Sequence, residues 1–134
     1  MIKRIVTGVL ENDVGEILLL HRRKERDTHG GLWSFVSGHI EKGETSEEAL
    51  ERELEEEVGV DSFEVVEKVE WMDNVSHLDY DFEVHLFRCL VDEQEVEVDD
   101  YEHDNHAWIK PEDIYNYSVF EGIIVNLEKL GYDI

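Results

Sequence analysis

The chain has 134 residues, 41% hydrophobic and 35% charged, with 35 acidic against 12 basic side chains and a formal net charge of −23. That length suits one domain over 1–134, burying roughly 70% of its unfolded surface, and leaves no room for a second. Such acidity argues against binding polymeric nucleic acid, which needs a concentrated basic surface, and no apolar run approaches the roughly 18 residues of a membrane span.

The opening MIKRIVTGVLEND lacks the apolar core and cleavage site of a signal peptide, and the single cysteine, Cys89, cannot close an internal disulfide. A reducing cytoplasm is the expected location. Cys89 sits in an apolar strand pattern and reads as a small buried hydrophobe rather than a nucleophile. Lys3 to Leu10 is β-branched and reads as a strand; Glu11-Asn12-Asp13-Val14-Gly15 supplies turn chemistry before a second strand, Glu16 to His21, so the two are expected to form a hairpin. Arg22, Arg23, Lys24 and Arg26 then place four of the twelve basic side chains within five positions. They are either a solvated loop or a phosphate-capture site, since guanidinium groups match phosphate geometry. Asp27 to Gly31 reads as a loop, and Leu32 to Val36 as a short strand that delivers the chain to Gly38.

The stretch Gly38 to Val60, GHIEKGETSEEALERELEEEVGV, organises the rest. Thr45 with Glu48 three residues on is a capping box, and Gly59 suits the left-handed position after a last turn, which predicts a helix from Ser46 to Val58. At about 100° per residue Glu53, Glu56 and Glu57 share one arc with the small Ala49, beside the apolar arc of Leu50, Leu54 and Val58. Glu47, Glu48, Glu51 and Glu55 fall on the solvated side. Three carboxylates crowded at a core edge repel one another and are poorly hydrated, a state a hard divalent cation relieves. Oxygen ligands without Cys or His among them suit Mg²⁺, with Mn²⁺ as a substitute, and not a structural zinc.

Beyond the helix, Phe63 to Trp71 and Asp79 to Val91 alternate as strands, with Asn74 to His77 turning between them. In the second strand Tyr80, Phe82, Val84, Leu86 and Arg88 share one face and Asp81, Glu83, His85 and Phe87 the other, one face being core and the other a cleft wall. Trp71, Tyr80 and Phe82 are candidates to stack on a base, although aromatics at strand spacing are more often core. Glu93 to Asp100 reads as a solvated acidic turn or edge. Tyr101 to Asp104 is a charged loop entering a strand at Trp108; His39 and His103 are the two histidines placed to accept a proton. Pro111 opens a helical turn, and Phe120, Ile123, Ile124, Leu127 and Leu130 give a closing helix. Strands, a middle helix, more strands and a closing helix indicate a layered α/β or α+β domain.

Gly38, Glu44, Arg52, Glu53, Leu54, Glu56, Glu57, Gly59 and Val60 stand at the spacing of the Nudix hydrolase signature, and the chain resembles that MutT-like family. The resemblance implies an α/β/α sandwich with a mixed sheet between helices, and Mg²⁺-dependent cleavage of a diphosphate linkage in a small nucleotide. It implies Glu53, Glu56, Glu57 and the Gly38 carbonyl as metal ligands, Glu53 also orienting or deprotonating the water. Glu44 and Arg52 then form a pair behind them that ties loop to helix. Glu102, six residues before Trp108, corresponds to a further metal ligand or base, with His103 and Asp104 as its substitutes. Arg22 and Arg23 are favoured for phosphate, and Trp33, Tyr80 and Phe82 are assigned to the substrate. Val36-Ser37-Gly38 stands where many relatives have Pro-Gly-Gly. The string around Trp33 is similar to dihydroneopterin triphosphate and deoxyadenosine triphosphate pyrophosphohydrolases, and Gly38 to Glu44 to diadenosine tetraphosphate hydrolases. A nucleoside triphosphate giving monophosphate and pyrophosphate leads, ahead of a dinucleoside polyphosphate or nucleotide sugar; a silent nucleotide-binding module is the non-enzymatic alternative. A homodimer is open to it.

Overall fold

The structure is a computed structural model describing residues 1–25, 30–74 and 81–134. Strands β1 (Ile2–Glu11), β2 (Ile17–Arg22), β3 (Trp33–Ser34) and β4 (Val36–His39) precede helix α1 (Ser46–Val58). Strands β5 (Glu64–Asp73), β6 (Asp81–Leu90) and β7 (His103–Ile109) lead to helix α2 (Glu121–Lys129), with 3-10 turns at Glu93–Glu95 and Pro111–Asn116. All seven strands belong to one mixed sheet: β1 runs parallel to β6 along one edge and antiparallel to β4 along the other, β2 carries β3 and β7, and β5 flanks β6. Among the described residues no helix is long and apolar enough to cross a membrane.

The sheet is covered on both faces, which makes the fold an α/β sandwich. Val6, Leu10, Leu18, Leu20, Phe87 and Cys89 point to the side where α1 buries Ala49, Leu50, Leu54 and Val58. Their neighbours Val9, Ile17, Leu19, Val84 and Leu86 point to the side closed by Ile123, Leu127 and Leu130 of the C-terminal helical segment. Burying such a side chain contributes about 2 kcal/mol, so the two clusters supply most of the driving force. Gly8 lets α1 lie close to β1, because a methyl there would stand 3.0 Å from Leu50 Cδ1.

Helix α1 has the expected bounds. Thr45 Oγ1 accepts from the Glu48 amide at 3.1 Å, Glu48 Oε1 accepts from the Thr45 amide at 2.9 Å, and Gly59 adopts φ 66°. The expected β1–β2 hairpin is present, paired antiparallel at Glu11 and Ile17, after which β1 takes β4 as its antiparallel partner and β2 takes β7 and β3. Three local expectations are corrected. The strand read as Leu32 to Val36 is two strands, because Trp33–Ser34 pairs with β2 whereas Val36–His39 crosses over to β1; Gly38 therefore lies inside a strand. Strand β6 has no cleft-facing side in its second half, since Phe87 and Cys89 are as buried as Leu86. The acidic run from Glu93 is more than a solvated edge: Val96 and Val98 pack on the α1-side core, and the amides of Glu97 and Asp99 donate to the carbonyls of Val58 and Glu57. The expected loop at Asp27 to His29, the turn at Val75 to His77, and Arg26, Asp79 and Tyr80 lie outside the described residues.

Candidate active site

The site grows from the side of α1 that faces β4. Arg52 lies at its centre: Nε and Nη2 donate to the two oxygens of Glu44 at 2.8 and 3.0 Å, Nη1 donates to Glu53 Oε1 at 2.7 Å, and Nη2 also reaches the His39 carbonyl at 3.0 Å. One planar guanidinium thus ties the loop, the end of β4 and the helix together, a geometry that an ammonium cannot reproduce. The Arg52 fork, helped by the Glu41 amide, holds the Glu44 carboxyl down at about 2, so Glu44 stays charged. Glu53 lies directly over Gly38. A Cβ at Gly38 would stand 2.8 Å from Glu53 Oε2 and closer still to the rest of that carboxyl, so the glycine leaves the space in which Glu53 sits, and any side chain here would displace that carboxyl.

One turn on, Glu57 is 5% exposed and both of its carboxylate oxygens lack a hydrogen-bond partner among the described residues. Burial first, then the proximity of Glu53 and the charge of Glu102, push its carboxyl far above the ordinary carboxylate range, opposed by Arg22. Glu102 reaches this point because the preceding segment is fastened to the end of α1 through Asp99. His103 arrives by a different device. Along β7, Ala107 and Ile109 pack on the α2 side, and strict alternation would send His103 there too. The pairing slips between His21 and Arg22, so that His21 opposes Asn105 but Arg22 opposes His103, leaving Asp104 as an extra residue. This bulge turns His103 toward α1, its Nε2 3.7 Å from Glu57 Oε1 and its side chain fully buried. One ligand atom each from Glu57, Glu102 and His103 lies within 4.8 Å of the others.

The remaining candidates divide. Arg22 stands opposite His103, where its charge is felt by Glu57. Arg23 turns away and braces the neighbouring loop, Nε donating to the Asp100 carbonyl at 2.7 Å. Glu56 is on the same side of the helix but 59% exposed, with Arg52 Nη1 at 3.5 Å. Trp33 and Phe82 pack against the α2-side cluster, on the face of the sheet away from α1, with Trp33 set edge-on to His21 and Tyr117. Tyr80 lies outside the described residues. Asp104 pairs with His21 and His39 is exposed, so of the two proposed substitutes for Glu102 only His103 joins the cluster. Cys89 is buried and burial pushes its thiol up to about 12, which suits the hydrophobe and not the nucleophile.

A family model described as NUDIX domain matches residues 1–125. The chain belongs to the Nudix hydrolase family. Among its Nudix relatives, "Nucleoside triphosphatase NudI" of Escherichia coli (strain SE11) is 32% identical over 127 residues, 87% of this chain and 88% of that protein. The solution structure of the E. coli ORF135 protein superposes with a TM-score of 0.74 at 29% identity, covering 96% of this chain and 87% of that one. The MutT Nudix hydrolase from Burkholderia pseudomallei shares the fold with a TM-score of 0.75 at 21% identity, over 97% of this chain and 98% of its own.

This Nudix site fits a hard divalent cation on its own chemistry. A buried carboxylate with no hydrogen-bond partner among the described residues, faced by Glu53 and Glu102, is an arrangement that water does not stabilise and a cation does. His103, expected from sequence only as a substitute for Glu102, joins the cluster through a bulge, which unlike a helix period leaves no mark in the spacing.

Proposed function

We propose that this Nudix hydrolase cleaves a nucleoside triphosphate to the monophosphate and pyrophosphate, with Mg²⁺ or Mn²⁺ held by Glu53, Glu56, Glu57, Glu102 and the Gly38 carbonyl. The observation that carries the reading is Glu57, a buried acid whose oxygens lack a hydrogen-bond partner among the described residues beside two further carboxylates. The NudI relative, named a nucleoside triphosphatase, supports the substrate class. A bound divalent ion supplies neutralisation of phosphate oxygens and a more acidic water.

The protein's own groups do the rest. Arg52 holds the Glu53 carboxylate against Gly38 at one oxygen, leaving the second to orient the attacking water. Glu44 keeps Arg52 in place from the far side, so the helix and loop hold one geometry through the reaction. Arg22, opposite His103 and with its charge felt by Glu57, takes the phosphate tail, while Trp33, Tyr80 and Phe82 are the aromatic candidates for the base. At a net charge of −23 a bare triphosphate is repelled, so the substrate arrives with its counter-ion already bound. The whole chain works as one domain that takes a small nucleotide and not a nucleic-acid polymer.

The test is product identification by chromatography after incubation with ribonucleoside and deoxyribonucleoside triphosphates, oxidised guanine nucleotides, diadenosine tetraphosphate and ADP-ribose, with Glu53→Gln in parallel. The expected outcome is monophosphate and pyrophosphate from a triphosphate and none from the variant. Cleavage of diadenosine tetraphosphate or ADP-ribose alone would overturn the substrate, and binding without turnover would overturn the hydrolytic reading.

A further inference from the structure

We propose that His103 is itself a metal ligand, giving this site a mixed carboxylate and imidazole donor set that favours Mn²⁺, or another ion that accepts imidazole, over Mg²⁺. The inference rests on the metal reading above and adds a donor to it. Three independent observations point to His103. Its side chain is fully buried, with Nε2 3.7 Å from Glu57 Oε1. That separation is too long for a hydrogen bond, yet two ligands sharing one ion at about 2.2 Å can stand as much as about 4.4 Å apart. Both Glu57 oxygens are buried and lack a hydrogen-bond partner among the described residues. The bulge at Asp104 has as its result that His103 faces α1 and not the α2-side core.

The chemistry explains why an imidazole would be placed here. Glu53, Glu57 and Glu102 already bring three acids to one corner beside the exposed Glu56, and a further carboxylate in place of the buried imidazole would add repulsion where water cannot screen it. A neutral imidazole adds a donor without adding charge. The donor also changes which ion is held best. Mg²⁺ prefers oxygen and keeps its waters, so it gains little from nitrogen, whereas Mn²⁺ and the ions after it in the first transition row gain more.

Mn²⁺ is the probe. Protein purified with uniformly ¹⁵N-labelled histidine, and unlabelled protein, are each loaded with one equivalent of Mn²⁺ and examined by pulsed electron spin resonance, while Kd values for Mn²⁺ and Mg²⁺ are measured by titration. The expected result is a directly bound nitrogen whose coupling changes with the histidine isotope and vanishes in His103→Gln. That variant should also show the Mn²⁺ Kd raised about tenfold or more, with the Mg²⁺ Kd changed less than about threefold. Mn²⁺ bound in a manner abolished by Glu57→Gln but without histidine coupling would overturn the role of His103 and leave the carboxylate site standing. Coupling that persists in His103→Gln would assign the nitrogen elsewhere and overturn it as well. Absence of stoichiometric Mn²⁺ binding to the unaltered protein would overturn the metal reading and this inference together. Absence of histidine coupling in the labelled native protein overturns the inference even where the variant does not fold.

Discussion

Replacing Gly38 by alanine adds a single methyl group, and the structure specifies what it meets. The new Cβ would lie 2.8 Å from Glu53 Oε2 and closer to the remaining carboxyl atoms, well inside van der Waals contact. The strand cannot retreat, because Gly38 is paired with Val6 and its neighbours Ser37 and His39 with Thr7 and Ile5. Helix α1 cannot retreat either, being seated through Leu50 and Leu54. Glu53 must therefore swing by on the order of 1 Å, losing the 2.7 Å bond from Arg52 Nη1 and adopting a poorer rotamer. A charge-assisted bond is worth about 2 kcal/mol and the rotamer about 1, so Gly38→Ala should cost about 3 kcal/mol and lower Tm by roughly 10 °C. Urea unfolding measures the first, and pyrophosphate release should fall by at least about a hundredfold as Glu53 leaves its position. The decisive comparison is a double-mutant cycle. In a Glu53→Ala background the three atoms nearest the new methyl are gone, and its cost should drop below about 0.5 kcal/mol. Equal costs in both backgrounds would refute the steric argument.

Glu57→Gln should separate stability from metal binding. Because the folded-state pKa of Glu57 lies above the unfolded value of 4.5, its protonated form favours folding below that pH, and the advantage is lost as the pH rises toward neutrality. In EDTA the non-titrating glutamine variant should thus be the more stable by about 3 kcal/mol at pH 7 and by less than about 0.5 at pH 4; a pH-independent difference in urea unfolding would sink the idea. Arg22→Ala should raise KM about tenfold at near-constant kcat, whereas Arg23→Ala, which loses a bond to the Asp100 carbonyl, should change KM less than about threefold. The reverse order in steady-state kinetics would return Arg22 to the solvated loop. Gly59→Ala, at φ 66°, should destabilise by about 1 kcal/mol with turnover intact, and a loss of activity exceeding the loss of folded protein would contradict its purely structural role.

What could be read from sequence was what is encoded locally. Helix α1 announces itself through Thr45, Glu48 and Gly59, which act within a few residues, and its period alone places Glu53, Glu56 and Glu57 together at a core edge. Glu53 and Glu57 are buried as that period implies, whereas the Glu56 side chain is 59% exposed. The features that escaped depend on distant partners. Phe35 gives no sign that the chain changes strand neighbours there, since the reason lies in β1 and β2. Val96 and Val98 look like minor interruptions of an acidic run until α1 supplies a surface for them. The spacing to Trp108 picks out Glu102 ahead of His103, and nothing in that spacing signals the extra residue at Asp104 that turns His103 to the same place. Trp33 and Phe82 were legible as aromatic strand residues, but the face each would occupy follows from pairing registers that only the assembled sheet defines.

The two hydrogen bonds from Glu97 and Asp99 to the last turn of α1 make the segment before β7 a strut of fixed length. Evolution can vary such a chain on one side of the strut and not the other. A residue inserted between Asp92 and Glu95 has a turn in which to be absorbed, and the strut would still meet the helix in register. The same insertion between Asp99 and Glu102 falls in the short turn that delivers Glu102 and His103 to α1, where it would carry the acid and the imidazole out of step with the helix. Length variation among natural sequences of this type should therefore stop at the strut, and a designer grafting a new rim onto this scaffold would cut before it.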